Sequence, residues 1–393
     1  MVLSRNQFDL VIVGAGAIGL SVARAARAHG LSVAVLERGT AGRGASWAAA
    51  GMLSPLGEAL EPGPFLRFGL HSLDLWPDFA RGLAEETGEE VEYRECGKLR
   101  LALSEREEER LRGRLAWARE HDVPAQWLEA EEVRRGHPGL APVVRGALFL
   151  GRDFRVDNRR LVHALRVACV NQGVQLFEGC EVTTLLTADD RVHGVQLSTG
   201  EGVGAGRVLV AAGAWSGQVA GLPRPLPVRP IRGEMAALRP ASPGGVASPQ
   251  GGGLHPLGGP VLESERLYLV PRDDGRILVG ATETDTGFDP GPTVGGLRRI
   301  LAEASAMVPA LEAALVEEVW SGFRPGSPDG MPILGQIPGV RDLFVATGHY
   351  RNGILLTPAT AEGMGKLVAG EDARHLPEAF LPDRFFGPDD GSH

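Results

Sequence analysis

The sequence predicts a protein of mixed α/β and α+β class, in which one domain is assembled from separated segments and interleaved with a second domain built on a mixed sheet. Three observations predict it. The first is Asp9–Arg38, where an apolar strand (Leu10–Val13), a turn carrying Gly14, Gly16 and Gly19, a helix, a second apolar strand (Leu31–Leu36) and the acid Glu37 follow in order. The second is the return of a buried apolar strand closed by glycine at Val208–Gly213 and again at Leu343–Gly348. The third is the character of the stretches between, which carry hairpin and capped-helix signals, such as Asp273-Asp274-Gly275 joining strands at Arg266–Pro271 and Arg276–Gly280.

Each part of the first unit has a physical reason. Gly14 permits the tight turn, Gly16 removes a Cβ so that a pyrophosphate can approach the backbone, and Gly19 lets the helix pack close to the strand. The helix turns its unpaired amides and positive dipole end toward phosphate. Glu37 stands 18 residues beyond Gly19, where a carboxylate accepts from ribose hydroxyls and repels a 2′-phosphate. A glycine pattern alone is weak; strand, turn, helix, strand and acid in order define a Rossmann-like dinucleotide-binding unit.

Gly39–Leu56 follows, read as a loop rich in small residues (Ala48-Ala49-Ala50-Gly51-Met52) that permit close contact with a large flat ligand, with a tightly packed helix start as the rival reading. Residues 65–87 and 104–120 read as helices, the second opened by Ser104 with Glu107 three positions on, a capping-box pattern. Between them Val91–Leu103 reads as strand, turn, strand, and Glu129–Val133 as a short acidic helix start. Asp157 caps a helix over Asn158–Asn171, and Val174–Phe177, Val182–Leu186 and Arg191–Leu197 read as strands, the last two in a meander. Pro223–Pro230 and Pro240–Pro260 are read as connecting or edge segments. Helices are expected over Val294–Met307 and from near Pro358, a residue suited to a first helical turn. The dinucleotide-binding domain is expected to comprise 1–85, 145–222 and 320–385, the second domain 86–144 and 223–319, and a tail 386–393.

The chain has 393 residues, enough for two domains with real cores. Its net charge of −9 and lack of a basic stripe argue against a nucleic-acid partner. Apart from Lys98 and Lys366, every basic residue is arginine. Cys96, Cys169 and Cys180 form an odd set without a C-x-x-C pair, which fits a reduced, cytoplasmic compartment. No signal pattern opens the chain, and no run approaches the ~20 apolar residues of a membrane helix. Metal-ligand spacing is also missing, so no metal is expected.

Five segments, Gly14–Gly19, Ala48–Leu53, Val279-Gly280-Ala281-Thr282, Gly322–Gly330 and Gly348–Leu356, together resemble the glycine oxidase branch of the D-amino-acid oxidase family of FAD enzymes, nearly end to end. The resemblance implies an FAD-binding domain and a substrate domain whose sheet covers the flavin ring. It implies Ala17 and Ile18 at the pyrophosphate, with Glu37 and Arg38 at the adenosine ribose. Val182 falls on the adenine side, and Ala45, Ser46, Ala50, Gly51 and Met52 lie further along the cofactor. His349, Tyr350, Arg351, Asn352, Gly353, Ile354 and Leu355 run past the isoalloxazine. Sarcosine-oxidase relatives attach FAD through a cysteine near the C-terminus; the last cysteine here is Cys180, so non-covalent FAD is expected.

The reaction implied is oxidation of a small amine or amino acid by hydride loss from Cα, giving an imine that water hydrolyses, with dioxygen as acceptor and hydrogen peroxide as product. Iminoglycine for the thiazole of thiamine is one implied destination. No acid–base side chain is needed if the amine enters deprotonated. Arg324 is expected to hold the substrate carboxylate through two parallel charge-assisted bonds, with a surface-turn arginine as the rival reading. Tyr268 adds a hydroxyl to the same carboxylate or is a packed strand tyrosine. Arg351 borders the substrate or pairs with an acid, and His349 is a ring-side residue, not a base. Two departures from the family pattern, Glu283 after Thr282 and Arg266 before Leu267-Tyr268, leave the pocket's size and polarity open. The alternatives are a D-amino-acid dehydrogenase, a sarcosine- or proline-type oxidase, a tRNA-modification subunit of the same fold, and a flavoprotein whose FAD is structural. Family members are often homotetramers, so a homo-oligomer is expected.

Overall fold

The computed structural model describes residues 7–58, 62–121, 123–240, 259–372, 374 and 376–386. Two eight-stranded sheets organise the chain. In the first, Ile333–Gln336, Leu343–Thr347, Gly202–Val210, Gln7–Val13, Val33–Glu37 and Gln175–Glu178 lie side by side, and the hairpin Val182–Ala188 and Arg191–Leu197 joins through Gly202–Val210. The five strands from Leu343–Thr347 to Gln175–Glu178 are parallel. Parallel strands are buried on both faces, and Leu10, Val11 and Ile12 are fully enclosed. Leu10 and Ile12 pack against helices Ala17–Ala28, Asn158–Asn171 and Thr357–Ala369. Val11 and Val13 pack on the other side against Val192 and Val195 of the hairpin.

The register sets the site. Val13 pairs with both Val210 and Leu36, so three strands end together and their turns open at one sheet edge. Gly14 has φ +106°, and a Cβ there would lie 2.5 Å from the Ala211 carbonyl oxygen. A Cβ at Gly19 would run into the Gly14 carbonyl. The two glycines close the strand–turn–helix passage, as the sequence predicts.

The second sheet runs Leu315–Gly326, Arg229–Arg239, Ile277–Gly280, Tyr268–Pro271, Val261–Glu263, Lys98–Ala102, Gly146–Leu150 and Ala125–Glu129. Arg229–Arg239 alternates with period two. Ala236 and Leu238 pack under helix Val294–Met307. Met235 and Ala237 face the opposite way, into a cluster with Trp320, Ala48 and Ala50. That second face meets the loop leaving the first sheet's glycine turn.

The helices over 64–87, 105–120 and 158–171 form where the sequence reads them, Ser104 and Asp157 capping the latter two with their side chains. Four readings need correction. Val91–Leu103 holds one strand, Lys98–Ala102, preceded by an isolated bridge from Arg94 to Arg155. Gly39–Leu56 is ordered into two short helices, Ala45–Ala48 and Pro55–Glu58, around a two-residue strand pairing with Phe154–Arg155. Pro230 belongs to a strand and not a connector; it pairs with Pro325 at the end of the ladder, where a missing N–H is tolerated. The boundaries expected at 145 and 320 place Gly146–Leu150 and residues 320–326 with the first sheet, whereas strand pairing places both in the second. Most of Pro240–Pro260, residues 1–6 and most of the tail lie outside the described residues. Among the described residues no helix is long and apolar enough to cross a membrane.

Candidate active site

A cavity of about 710 Å³ lies between the two sheets. The first sheet contributes Gly14, Gly16 and Ile18 of the turn and Glu37 and Arg38 of the second strand; the second sheet contributes Tyr268, Glu283 and Arg324. At the turn, Gly16 is the N-cap of helix Ala17–Ala28, in extended conformation and with no side chain of its own to offer the helix end, whose first amide, Ala17 N–H, donates to Ser46 Oγ. Such a helix start leaves further donors and a positive dipole for an anion. Glu37 is fixed by the backbone it faces: Oε2 accepts from Ala15 N–H and Oε1 from Gly39 N–H, both at 2.9 Å. The Arg38 guanidinium lies 3.7 Å above the Trp215 ring, and Val182 lines the same stretch of wall.

Ala45, Ser46, Ala50, Gly51 and Met52 also line the cavity. Gly51 has φ +67° and a Cβ there would collide with the Val156 carbonyl. The loop is tied to its surroundings by residues that sequence reasoning missed. Arg272, fully buried at the end of strand Tyr268–Pro271, donates to Val156 O (2.8 Å), Ala50 O (3.1 Å) and Asn158 Oδ1 (2.8 Å). Asn158 Nδ2 donates in turn to Ser46 O (2.8 Å) and Trp47 O (3.0 Å), and Ser46 Oγ accepts from Ala17 N–H (2.9 Å). Burial lowers the Arg272 pKa to about 10, so it stays charged at neutral pH. Cys180 lines the wall beside Glu37, its N–H donating to the Glu37 carbonyl.

Of the residues expected past the ring, His349, Tyr350, Arg351, Gly353 and Ile354 line the cavity. Asn352 and Leu355 are not part of its wall, nor are Ala17 and Gly19. The Leu355 carbonyl is taken by Ser72 Oγ and Trp76 Nε1, and Asn352 N–H donates to His349 O. His349 is buried, with Nε2 3.2 Å from Thr360 Oγ1. Desolvation drives its pKa down to about 3, so the imidazole is neutral.

On the second-sheet side, Arg324 donates from Nη1 to Thr282 O at 3.2 Å. Its guanidinium lies flat against Gly233, where a Cβ would come within 2.6 Å of Nη1. It is a strand residue, not a turn residue. Among the described residues no carboxylate lies within ion-pairing distance of it. The Tyr268 hydroxyl is 3.3 Å from Met235 Sδ; burial raises its pKa, opposed by the charges of Arg324 and Arg351. Arg351 is paired, with Nη2 3.1 Å from Glu58 and Nη1 3.9 Å from Glu283. The Arg266 guanidinium is exposed and turns to Glu303 at 2.9 Å. Behind Glu58, the buried Lys98 lies 2.6 Å from Glu263 and 3.6 Å from Asp153. Its sequence signal was its rarity, one of two lysines in an arginine-rich chain.

The helix start at Gly16, glycine turn, fixed ribose-side acid and mostly apolar loop fit a dinucleotide with a flat ring, and define a dinucleotide-dependent oxidoreductase site. Comparison with known proteins agrees. The model of the DAO family, FAD dependent oxidoreductases, matches residues 9–367. Glycine oxidase of Pseudomonas aeruginosa is 36% identical over 375 residues, 95% of this chain and 98% of that protein. The bifunctional protein ThiO/ThiG of Synechocystis is 38% identical over 379 residues, 96% of this chain but 54% of that protein, so the chain spans about half its length. The crystal structure of glycine oxidase from Geobacillus kaustophilus superposes with a TM-score of 0.88 at 34% identity, covering 96% of this chain and 98% of that one.

The chain belongs to the DAO family of FAD-dependent oxidoreductases. It is an FAD-dependent amine oxidoreductase.

Proposed function

We propose that this protein oxidises glycine or another small amine bearing one carboxylate, such as sarcosine or a small D-amino acid, at non-covalently held FAD. The observation that carries this reading is Arg324: a guanidinium facing the cavity, seated by Thr282 O and Gly233, with no carboxylate partner among the described residues. It presents two parallel donors to one carboxylate, and the Tyr268 hydroxyl adds a third. FAD when bound supplies acceptance of the hydride from the amine carbon and, with dioxygen, return to the oxidised state with release of hydrogen peroxide.

The chain's own residues bind and orient. The turn at Gly14, Gly16, Ala17 and Ile18 would hold the pyrophosphate, with Gly19 supporting it. Glu37 and Arg38 would hold the ribose, with Val182 at the adenine. Ala45, Ser46, Ala50, Gly51 and Met52 would lie further along the cofactor, and His349 to Leu355 would run past the ring, Asn352 and Leu355 from behind the wall. Buried and neutral near pH 7, His349 is too weak a base to take the amine's proton, and the amine is read as arriving deprotonated. Met235 and Trp320 help exclude water from the ring side. Non-covalent FAD is supported by the position of Cys180 beside Glu37, at the ribose side of the cavity; yellow colour left on acid-precipitated protein would refute it.

Supply of iminoglycine to thiamine thiazole synthesis, a cytoplasmic location and a homotetrameric assembly complete the reading, drawn from the resemblance and the three free cysteines. The experiment is visible absorbance of the purified protein, followed by anaerobic addition of glycine, sarcosine and D-alanine in turn, with peroxide assayed after air is readmitted. Bleaching by at least one with peroxide formed is expected. A yellow protein that none bleaches overturns the substrate assignment, and bleaching without peroxide points to a dehydrogenase.

A further inference from the structure

Arg351 is the second guanidinium on the substrate side of the cavity and, unlike Arg324, it is already paired. Glu58 lies 3.1 Å from it and Glu283 3.9 Å, and all three line the same cavity. Glu58 is largely sheltered and Glu283 half exposed, so Arg351 is flanked by one acid from within and one from the open side. Glu58 ends helix Pro55–Glu58, which is anchored by Asp153 through Ser54 Oγ and through Leu56 N–H at 3.2 Å, and by Arg100 Nη1 donating to Gly57 O at 3.3 Å. Glu283 also bears on Tyr350, whose hydroxyl pKa burial and the Glu283 carboxylate push up to about 12. On the same side of the wall, Glu263 is taken by Lys98 and Arg100 at 2.6 and 3.1 Å, and Glu265 by Arg110.

We propose that Glu58 and Glu283 set the substrate class by masking Arg351: amines with one carboxylate, seated on Arg324, are accepted, and amines with a second carboxylate are turned away. This rests on the reading that Arg324 takes the substrate carboxylate. A second carboxylate reaching Arg351 must compete with two acids already beside it, and it meets their like charge at short range. An uncharged substituent faces no such cost. Glu283, at the open side, is the acid whose removal unmasks Arg351 most directly.

The test uses FAD-loaded protein and reads the perturbation of flavin absorbance on titration with acetate and with malonate, which need no turnover. Wild type is expected to bind acetate at least tenfold more tightly than malonate. Glu283→Gln should narrow that ratio by about two- to fivefold, the worth of one exposed charge pair. Glu58→Gln with Glu283→Gln should narrow it further. The ratio of kcat/KM for iminodiacetate against sarcosine should move the same way. Malonate binding to wild type as tightly as acetate, or a ratio equal in all three proteins, overturns the proposal. Failure of acetate to perturb the flavin overturns the Arg324 reading and the proposal with it. Selective binding with the expected variant response, but no amine oxidised, keeps the masking and removes only the amine reading.

Discussion

A guanidinium recognises a carboxylate in proportion to how firmly its fork is aimed, and Arg324 is aimed by two neighbours that contribute no charge: the Thr282 carbonyl and the bare face of Gly233. Each charge-assisted bond to the substrate is worth about 1.5–3 kcal/mol. Arg324→Ala should therefore raise KM for glycine by about a hundredfold or more, with FAD still bound by absorbance. Arg324→Lys should recover little of the loss, because a point charge does not reproduce the fork. Gly233→Ala tests the seat itself: its Cβ would press on Arg324 Nη1, so KM should rise while the charge is untouched. An unchanged KM in Gly233→Ala would show that the guanidinium has another resting place. His349 allows a second prediction at this scale. Its pKa is about 3 in the folded state against 6.5 free, so below about pH 6.5 the unfolded chain takes up a proton that the folded chain refuses. The stability it contributes is full above that pH and falls by ~1.4 kcal/mol per pH unit toward 3. Urea unfolding of wild type and His349→Asn at pH 7.5 and 5.5 should show the wild type losing the more. Equal losses would mean the imidazole is hydrated.

At the scale of elements, the hydrogen-bond chain from Arg272 through Asn158 and Ser46 to the first amide of helix Ala17–Ala28 joins the second sheet to the phosphate-facing turn. Arg272→Met would leave the acceptors Ala50 O, Val156 O and Asn158 Oδ1 unpaired in the interior, at about 1–3 kcal/mol each. Part of that cost should appear as looser cofactor binding. Titration of apoprotein with FAD, read by quenching of flavin fluorescence, should give a Kd raised by at least about tenfold, and Arg272→Lys should fall between. An unaltered Kd would confine Arg272 to packing. None of this relay was legible in the sequence, because it links residues from four separate segments through backbone carbonyls, which carry no side-chain signature. The first βαβ unit was legible because its pattern is local: glycine spacing, apolar period and terminal acid fall within thirty residues. The strands Arg229–Arg239 and Leu315–Gly326 were not, since the first begins in a proline-rich stretch and the second opens with two adjacent acids between exposed valines (Val316-Glu317-Glu318-Val319) at a sheet edge, which breaks the alternation. Arg324 and Tyr268 were singled out from the family resemblance, while the pairing of Arg351 was only one of two readings until Glu58, at the end of the short helix Pro55–Glu58, came beside it.

For the whole molecule, the question is what holds the loop from the first sheet against the second sheet. The buried Lys98 answers it. Strand Lys98–Ala102 places its ammonium between Glu263 of the neighbouring strand and Asp153, and Asp153 accepts from Ser54 Oγ and Leu56 N–H of the loop. Burial pushes the Asp153 pKa up while Lys98 pulls it back; the Lys98 pKa is raised by its two acids against its own desolvation. Such a cluster is costly to assemble and more costly to break, because removing one member strands another charge without water. Lys98→Met should cost about 3–5 kcal/mol of folding stability, even though the replacement is apolar and of similar length. Glu263 keeps Arg100 as a partner, so the stranded charge is Asp153. Adding Asp153→Asn to Lys98→Met should then recover part of the loss, so that the double variant loses less than the sum of the single ones, where independent sites would add. Unfolding midpoints of the two single variants and the double variant decide it. Additive losses would mean that Lys98 holds the two sheets together by packing alone, and that the loop is seated by Ser54 and Leu56 without help from the ammonium.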